Sequence, residues 1–167
     1  RRDLAAFYRG ESPPIVTTMT LDVEIGRLFA AAAKAVMQRA GVTPEAIRAV
    51  GSHGQTLYHH PDGAAPFTLQ IGDPTVIAEL TGVDTVADFR RRDLAAGGQG
   101  APLAPAFHGA VFRTPQEDRA VVNLGGIANL TVLPADPTAP GTGGETGPAN
   151  TLMDGWAERH LGRDYDV

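Results

Sequence analysis

Cysteine is absent from the 167 residues, which excludes disulfides and thiolate metal sites. An excess of basic charge is missing too. The 14 Lys and Arg against 19 Asp and Glu leave a formal net charge of −5, and nucleic-acid phosphates reward the opposite sign. The one basic run, Arg90-Arg91-Arg92, is flanked by Asp88 and Asp93. Long apolar runs are also lacking. The longest, Leu28 to Val36, is interrupted by Lys34 and falls far short of the roughly 18 residues that span a bilayer. No signal-peptide pattern is visible, so a cytoplasmic location is expected and neither membrane nor nucleic acid is an expected partner. The chain has no initiator methionine, opens on Arg1-Arg2-Asp3 and closes on Asp166-Val167, and it reads as a piece of something longer. What remains, 43% hydrophobic, suits one domain with a real core or parts of two.

Strand and helix patterns alternate, which predicts an α/β architecture. Leu21, Ile25, Leu28, Phe29, Ala32 and Val36 recur at helical spacing over 21–40, with Thr20 as cap and Gly41 as stop. Thr43-Pro44-Glu45 opens a short second helix, and Asp73-Pro74 caps a third that ends at Gly82. Ala49–Ser52 and Phe67–Ile71 read as strands joined by a loop, and Asp84–Ala87 as a further strand. Leu103–Phe112 reads as a helix. Arg119–Leu124 and Asn129–Leu133 read as a hairpin about Gly125-Gly126. Pro134–Gly144 is expected as an exposed loop, and Thr146–Leu161 as a helix burying Leu152, Met153 and Trp156. A domain boundary is expected near 114–119.

The chemistry concentrates in a few places. Asn123-Leu124-Gly125-Gly126-Ile127-Ala128-Asn129 is followed by Gly143-Gly144-Glu145-Thr146-Gly147-Pro148-Ala149-Asn150. Glycine turns leave backbone amides for phosphate, and a following helix N-terminus favours an anion. A carboxylate beside such a nest is placed to deprotonate a nucleophile, though the same pattern also serves plain turns. His53, His59, His60 and Asp62 lie close together, but their spacing matches no tight zinc motif, and a polar loop explains them better. Ser52-His53-Gly54-Gln55 ends a strand, where α/β proteins place ligands; satisfying turn amides is the alternative. Asp88-Phe89-Arg90-Arg91-Arg92-Asp93 is either an Arg clamp for a carboxylate or hydroxyl or a self-paired charged turn. Gly97-Gly98-Gln99-Gly100 allows close backbone approach.

Taken together, these segments resemble the anhydro-N-acetylmuramic acid kinases, bacterial sugar kinases of the superfamily that includes hexokinase, actin and Hsp70. The matching runs are Gly51–Thr56, Gln70–Pro74, Ala87–Asp93 continuing to Leu103, Pro105–His108, Asn123–Asn129 and Thr146–Asn150 with Leu152-Met153-Asp154. The resemblance implies an incomplete actin-like (ribonuclease H-like) ATPase fold. Residues 1–117 would form most of a sugar-side domain and 118–167 the start of a nucleotide-binding domain. It implies that ATP, with Mg²⁺, phosphorylates the sugar's sixth oxygen while water opens the anhydro bridge, giving N-acetylmuramic acid 6-phosphate for cell-wall recycling. By the same resemblance, Glu145 is the catalytic base where the family carries an aspartate. Asp88, Arg90, Gly97, Gly98, Gln99, His53 and Gln55 meet the sugar, and Asn123, Gly125, Gly126, Asn129, Gly147 and Asn150 meet ATP. No metal ligand set is identifiable. A homodimer is a family expectation. The alternative is an inactive or truncated paralogue serving only as a nucleotide-binding module of the actin and Hsp70 type.

Overall fold

The computed structural model describes Phe7 and residues 13–165; the outermost parts of both expected domains lie outside the described residues. The chain is a mixed α/β protein that divides into two compact units, one up to Gly100 and one from Ala101 onward. The helix Ala104–Phe112 falls in the second unit, where it packs on a strand.

In the first unit, α1 spans Ile15–Ala40, followed by a 3₁₀ turn Pro44–Ala46, β1 (Val50–Gly51), β2 (Gln55–His60) and β3 (Phe67–Ile71). Then come α2 (Pro74–Thr81), β4 (Thr85–Val86) and α3 (Phe89–Ala95). α1 begins six positions before the expected start at Leu21. Pro14 sits at the cap in an extended conformation and accepts from the Thr17 and Thr18 amides. The β-branched run Val16-Thr17-Thr18 masks this turn, since such residues are weak helix formers. Thr20 is therefore inside the helix, its hydroxyl donating to the Val16 carbonyl at 2.9 Å. Gly41 ends α1 in the left-handed conformation, as expected.

Leu21 and Ile25 of α1 join Phe7, Leu57 and Ile71 in the core of this unit, with Phe29 and Tyr58 against it. Leu28 and Val36, expected on the same face, are exposed; Ala30 and Met37 are buried in their place. Gly26 permits the closest approach: a Cβ there would lie 2.9 Å from the Asp73 carbonyl oxygen. Asp22 accepts from the Gly72 amide at 2.7 Å, so the start of α2 is tied to α1. Asp73 caps α2 by accepting from the Thr75 amide at 2.8 Å. Removing that acceptor with Asp73→Ala is expected to lower stability by about 1 kcal/mol, measured by urea denaturation. The loop expected between the strands contains β2, which pairs antiparallel with β3. β1 and β4 pair in parallel, Val50 with Thr85 and Gly51 with Val86.

In the second unit, α4 (Ala104–Phe112) is followed by β5 (Arg119–Leu124), β6 (Ile127–Leu133), β7 (Thr142–Pro148) and α5 (Asn150–Leu161). The three strands form an antiparallel sheet in sequence order. β7 takes residues expected in a loop and in the first turn of the last helix. α4 lies on β6, where Leu133 is 1% exposed and His108 meets the Thr131 hydroxyl at 2.9 Å. Gly143 is required beneath this helix, because a Cβ would come within 2.6 Å of Pro105 Cγ. α5 is held through its first turn and through Ala157, which is 2% exposed. Leu152, Met153 and Trp156 are exposed rather than buried, since among the described residues no further layer covers that face. Trp156 instead stacks on His160 at 4.1 Å between ring centroids.

Candidate active site

A groove of about 610 Å³ lies within the first unit. Ser52, His53 and Gly54 form one side, at the end of β1, where its carbonyl-end loop opens. Ala87, Asp88 and Arg91, at the start of α3, form another, and residues of β3 from Phe67 to Ile71 supply a wall. Asp22 of α1 also lines it. The parallel pairing of β1 with β4 explains why 52–54 and 87–88 meet: both segments leave the same end of the two strands, and the Ser52 amide donates to the Val86 carbonyl at 2.8 Å.

The charged run is a helix, not a turn. Asp88 takes the left-handed conformation (φ 58°) just before α3, and Arg91, three positions on, pairs with its carboxylate at 3.3 Å. Consecutive helical residues point about 100° apart, so Arg90 and Arg91 leave on different sides. Arg91 lines the groove. Arg90 instead donates from Nε to His53 Nε2 at 2.9 Å. Because an arginine Nε can only donate, His53 Nε2 is the acceptor and the ring proton sits on Nδ1, 2.9 Å from the Gly54 carbonyl. His53 is thus fixed as one neutral tautomer. Gly54 is required beside it: φ is +75°, and a Cβ would meet the Ile71 carbonyl oxygen at 2.7 Å.

Among the sequence candidates, His53 and Asp88 come together on the groove, whereas Arg90, Gln55, Gly97, Gly98 and Gln99 are not among its lining residues. Gln55 opens β2. The Gly97–Gly100 turn follows α3 and is organised by Asp93, whose carboxylate accepts from the Gly100 amide at 2.7 Å and whose carbonyl accepts from Gly98 at 2.8 Å. Sequence reading missed Asp22 and did not separate Arg91 from its neighbours. The helical period of 89–95 was the signal available for Arg91. Of the other histidines, His59 meets the Thr68 hydroxyl at 3.2 Å. Partial burial, aided by Arg90 and His60 and opposed by Asp62, pulls its imidazole below the ordinary value.

In the second unit the candidates fall on one row. Asn123 of β5 stands opposite Asn129 of β6, and Asn129 opposite Glu145 of β7. Directly opposed residues share a sheet face, with roughly 5 Å between successive Cβ atoms. A bulge at Thr146 sets this register: Ala128 pairs with Gly147, yet Asn129 pairs with Glu145. Glu145 is exposed and lies on a strand, not beside a helix start. The hairpin tip Gly125-Gly126 is next to this row. Its carbonyls accept the leading amides of the last helix: Gly126 from Ala149 at 2.9 Å and Thr151 at 3.2 Å, Gly125 from Asn150 at 3.0 Å. The expected use of that helix N-terminus for an anion is therefore corrected, because its first amides already have acceptors. Asn150 adds a side-chain bond to the Leu124 carbonyl at 3.1 Å, and Gly147, at φ +137°, is open to solvent where a Cβ would stand. The Gly125 and Gly126 amides themselves meet no acceptor among the described residues.

A family model for anhydro-N-acetylmuramic acid kinase matches residues 1–167. The chain belongs to the anhydro-N-acetylmuramic acid kinase family. Curated relatives carrying that name include one from Coxiella burnetii (strain Dugway 5J108-111), 53% identical over 166 residues, covering 99% of this chain and 45% of the relative. One from Xylella fastidiosa is 57% identical over 146 residues, covering 87% and 38%. One from Vibrio vulnificus is 49% identical over 166 residues, covering 99% and 44%. The chain spans less than half the length of these kinases, in agreement with the resemblance read from its motifs.

Proposed function

We propose that the chain carries the sugar-binding groove and part of the phosphate-binding machinery of an ATP-dependent anhydro-N-acetylmuramic acid kinase. The observation that carries this reading is the Asn123–Asn129–Glu145 row beside the Gly125-Gly126 tip, in a chain of this family. The relatives' names supply the substrate, and the product is the ring-opened 6-phosphate of cell-wall recycling. We take the fold as an actin-like ATPase, with 1–117 as the sugar-side domain and 118–167 as the start of the nucleotide domain.

The tip fits an anion, because the Gly125 and Gly126 amides have no acceptor among the described residues. Asn123 and Asn129 add neutral donors, with Gly147 and Asn150 flanking them. Among the described residues no group of three or more His, Asp or Glu is placed to hold a metal. That suits Mg²⁺, which keeps several waters and phosphate oxygens in its shell. When bound, ATP supplies the phosphoryl group for the sugar's sixth oxygen, and Mg²⁺ offsets its charge.

This chain's residues supply proton removal and orientation. Glu145 takes the proton of the water that opens the anhydro bridge. Ser52, His53 and Asp88 orient the sugar, while Gln55 and the Gly97-Gly98-Gln99 turn, with Arg90 behind His53, support that wall. Among the described residues no helix is long and apolar enough to cross a membrane, and we place the enzyme in the cytoplasm, as a homodimer in keeping with the family. The test is a coupled ADP-release assay of the complete protein with 1,6-anhydro-N-acetylmuramic acid and with ordinary hexoses. Turnover confined to the anhydro sugar is expected; turnover only on hexoses overturns the assignment.

A further inference from the structure

We infer that Arg113 is a positioning residue for Glu145: by clamping the β6–β7 loop, it keeps the surplus residue of β7 in the bulge at Thr146. This rests on the functional reading above for what Glu145 does, and goes further by naming what holds it in place.

β7 reads Thr142-Gly143-Gly144-Glu145-Thr146-Gly147-Pro148 and contains no buried residue. A glycine-rich strand without an apolar face specifies its register weakly. Two registers compete here. In the observed one, Ala128 pairs with Gly147, but Asn129 pairs with Glu145, Leu130 with Gly144 and Thr131 with Gly143. Without the bulge, the ladder would continue evenly from Ala128 and Gly147, so that Asn129 faced Thr146 and Leu130 faced Glu145. That slip of one residue turns the Glu145 carboxylate to the other face of the sheet, away from Asn123 and Asn129. Packing against α4 does not forbid it. Gly143 lies beneath Pro105, where a Cβ would come within 2.6 Å, and Gly144 would take its place.

The slip moves one residue out of the bulge and into the loop that joins β6 to β7, and this loop is the part that is held. Arg113, just past α4, donates from Nη1 to the Pro137 carbonyl at 3.3 Å and from Nη2 to the Ala139 carbonyl at 3.2 Å. Gly141 leaves room for the guanidinium, since a Cβ there would lie 3.3 Å from Nη2. Asp118 ties the near end of the loop by accepting from the Ala135 amide at 2.7 Å. Asp136 closes the turn between, accepting from the Thr138 amide at 2.8 Å and its hydroxyl at 2.7 Å. Arg113 Nε is buried and meets no acceptor among the described residues. A buried donor left unpaired is costly, and the hold of the fork on two loop carbonyls offsets that cost.

The experiment compares Arg113→Ala with the unmodified protein by NMR and by ADP release. NOE contacts between Asn129 and Glu145 are expected in the unmodified protein. In Arg113→Ala, contacts of Leu130 with Glu145 and of Asn129 with Thr146 are expected to appear. Turnover of the anhydro sugar by the complete protein should fall about tenfold, the size of one charge-assisted hydrogen bond, while calorimetry finds sugar affinity unchanged. In a Glu145→Gln background the same substitution should cost nothing further, because Arg113 acts through that carboxylate. Arg113→Lys keeps the charge but loses the two-pronged reach; it takes the place of Arg113→Ala, with the same directions expected, if that variant does not fold. Unchanged contacts, or an equal fall in turnover with and without the Glu145 carboxylate, overturns the inference. Wild-type turnover in Glu145→Gln alone would instead fail the functional reading, and the Leu130–Glu145 contact would still decide the register.

Discussion

On the proposed function, Glu145→Gln is expected to lower turnover of the anhydro sugar by about a thousandfold in the complete protein, within the range that a general base contributes. The substitution keeps the shape of the side chain and removes its capacity to accept a proton. Glu145 lies exposed on β7, opposite Asn129, so no core contact is lost and the unfolding midpoint should stay unchanged. That separation is what gives the result meaning: activity falls and stability does not. Glu145→Asp keeps a carboxylate at this position and should keep most of the turnover, with a penalty or gain set by one methylene of reach. ADP release at saturating sugar measures all three proteins. Wild-type turnover in Glu145→Gln would remove the carboxylate from the mechanism.

Ile77→Ala is expected to cost about 3 kcal/mol of stability, measured by chemical denaturation. Ile77 is completely buried in the first unit, on α2, the helix that packs against α1. Its carbonyl also accepts the Thr81 hydroxyl at 2.7 Å, and Thr81 in turn accepts from the Val83 amide at 3.2 Å. This chain of contacts leads from α2 into β4 and so to Asp88. A cavity at Ile77 therefore loosens one wall of the groove as well as the core, and sugar binding should weaken along with folding. A domain of this size typically has about 5–15 kcal/mol in total, so the loss is a large fraction. A change below about 1 kcal/mol would mean that this helix is not integral to the unit.

The parts of the fold that were legible in the sequence are those where a local signal coincides with a local cause. Asp73-Pro74 and Gly82 bracket α2 because a cap, a fixed φ and a left-handed glycine act within one turn. Gly125-Gly126 marks the hairpin for the same reason. The errors fall where distant packing decides. Tyr58, His59 and His60 read as loop residues between Gly54 and Pro61, yet they form β2 because Phe67–Ile71 offers a partner ladder. Gly143 and Gly144 read as a loop and Gly147 as the first turn of the last helix, yet all three belong to β7; the close approach of Pro105 demands glycine at 143, and the pairing with β6 holds the rest. Trp156 and Leu152 repeat at helical spacing and suggested a buried stripe, but periodicity does not say what covers a face.

The site shows the same division. Its residue types were visible: a carboxylate near glycines, asparagines about the hairpin, and acid, arginine and histidine at strand ends. Their geometry was not. That Asn123, Asn129 and Glu145 share a row depends on a bulge at Thr146, which nothing in the local sequence announces. That Arg91 rather than Arg90 reaches the groove depends on 89–95 being helical, and three arginines between two aspartates look alike until the helix fixes their directions.

The most direct measurement is a titration of the isotope-labelled chain with 1,6-anhydro-N-acetylmuramic acid, followed by amide NMR. Saturable shifts centred on Ser52, His53, Asp88 and Arg91 are expected, with the exposed outer face of the last helix silent. Saturable shifts centred elsewhere, or no saturable binding, would contradict the account.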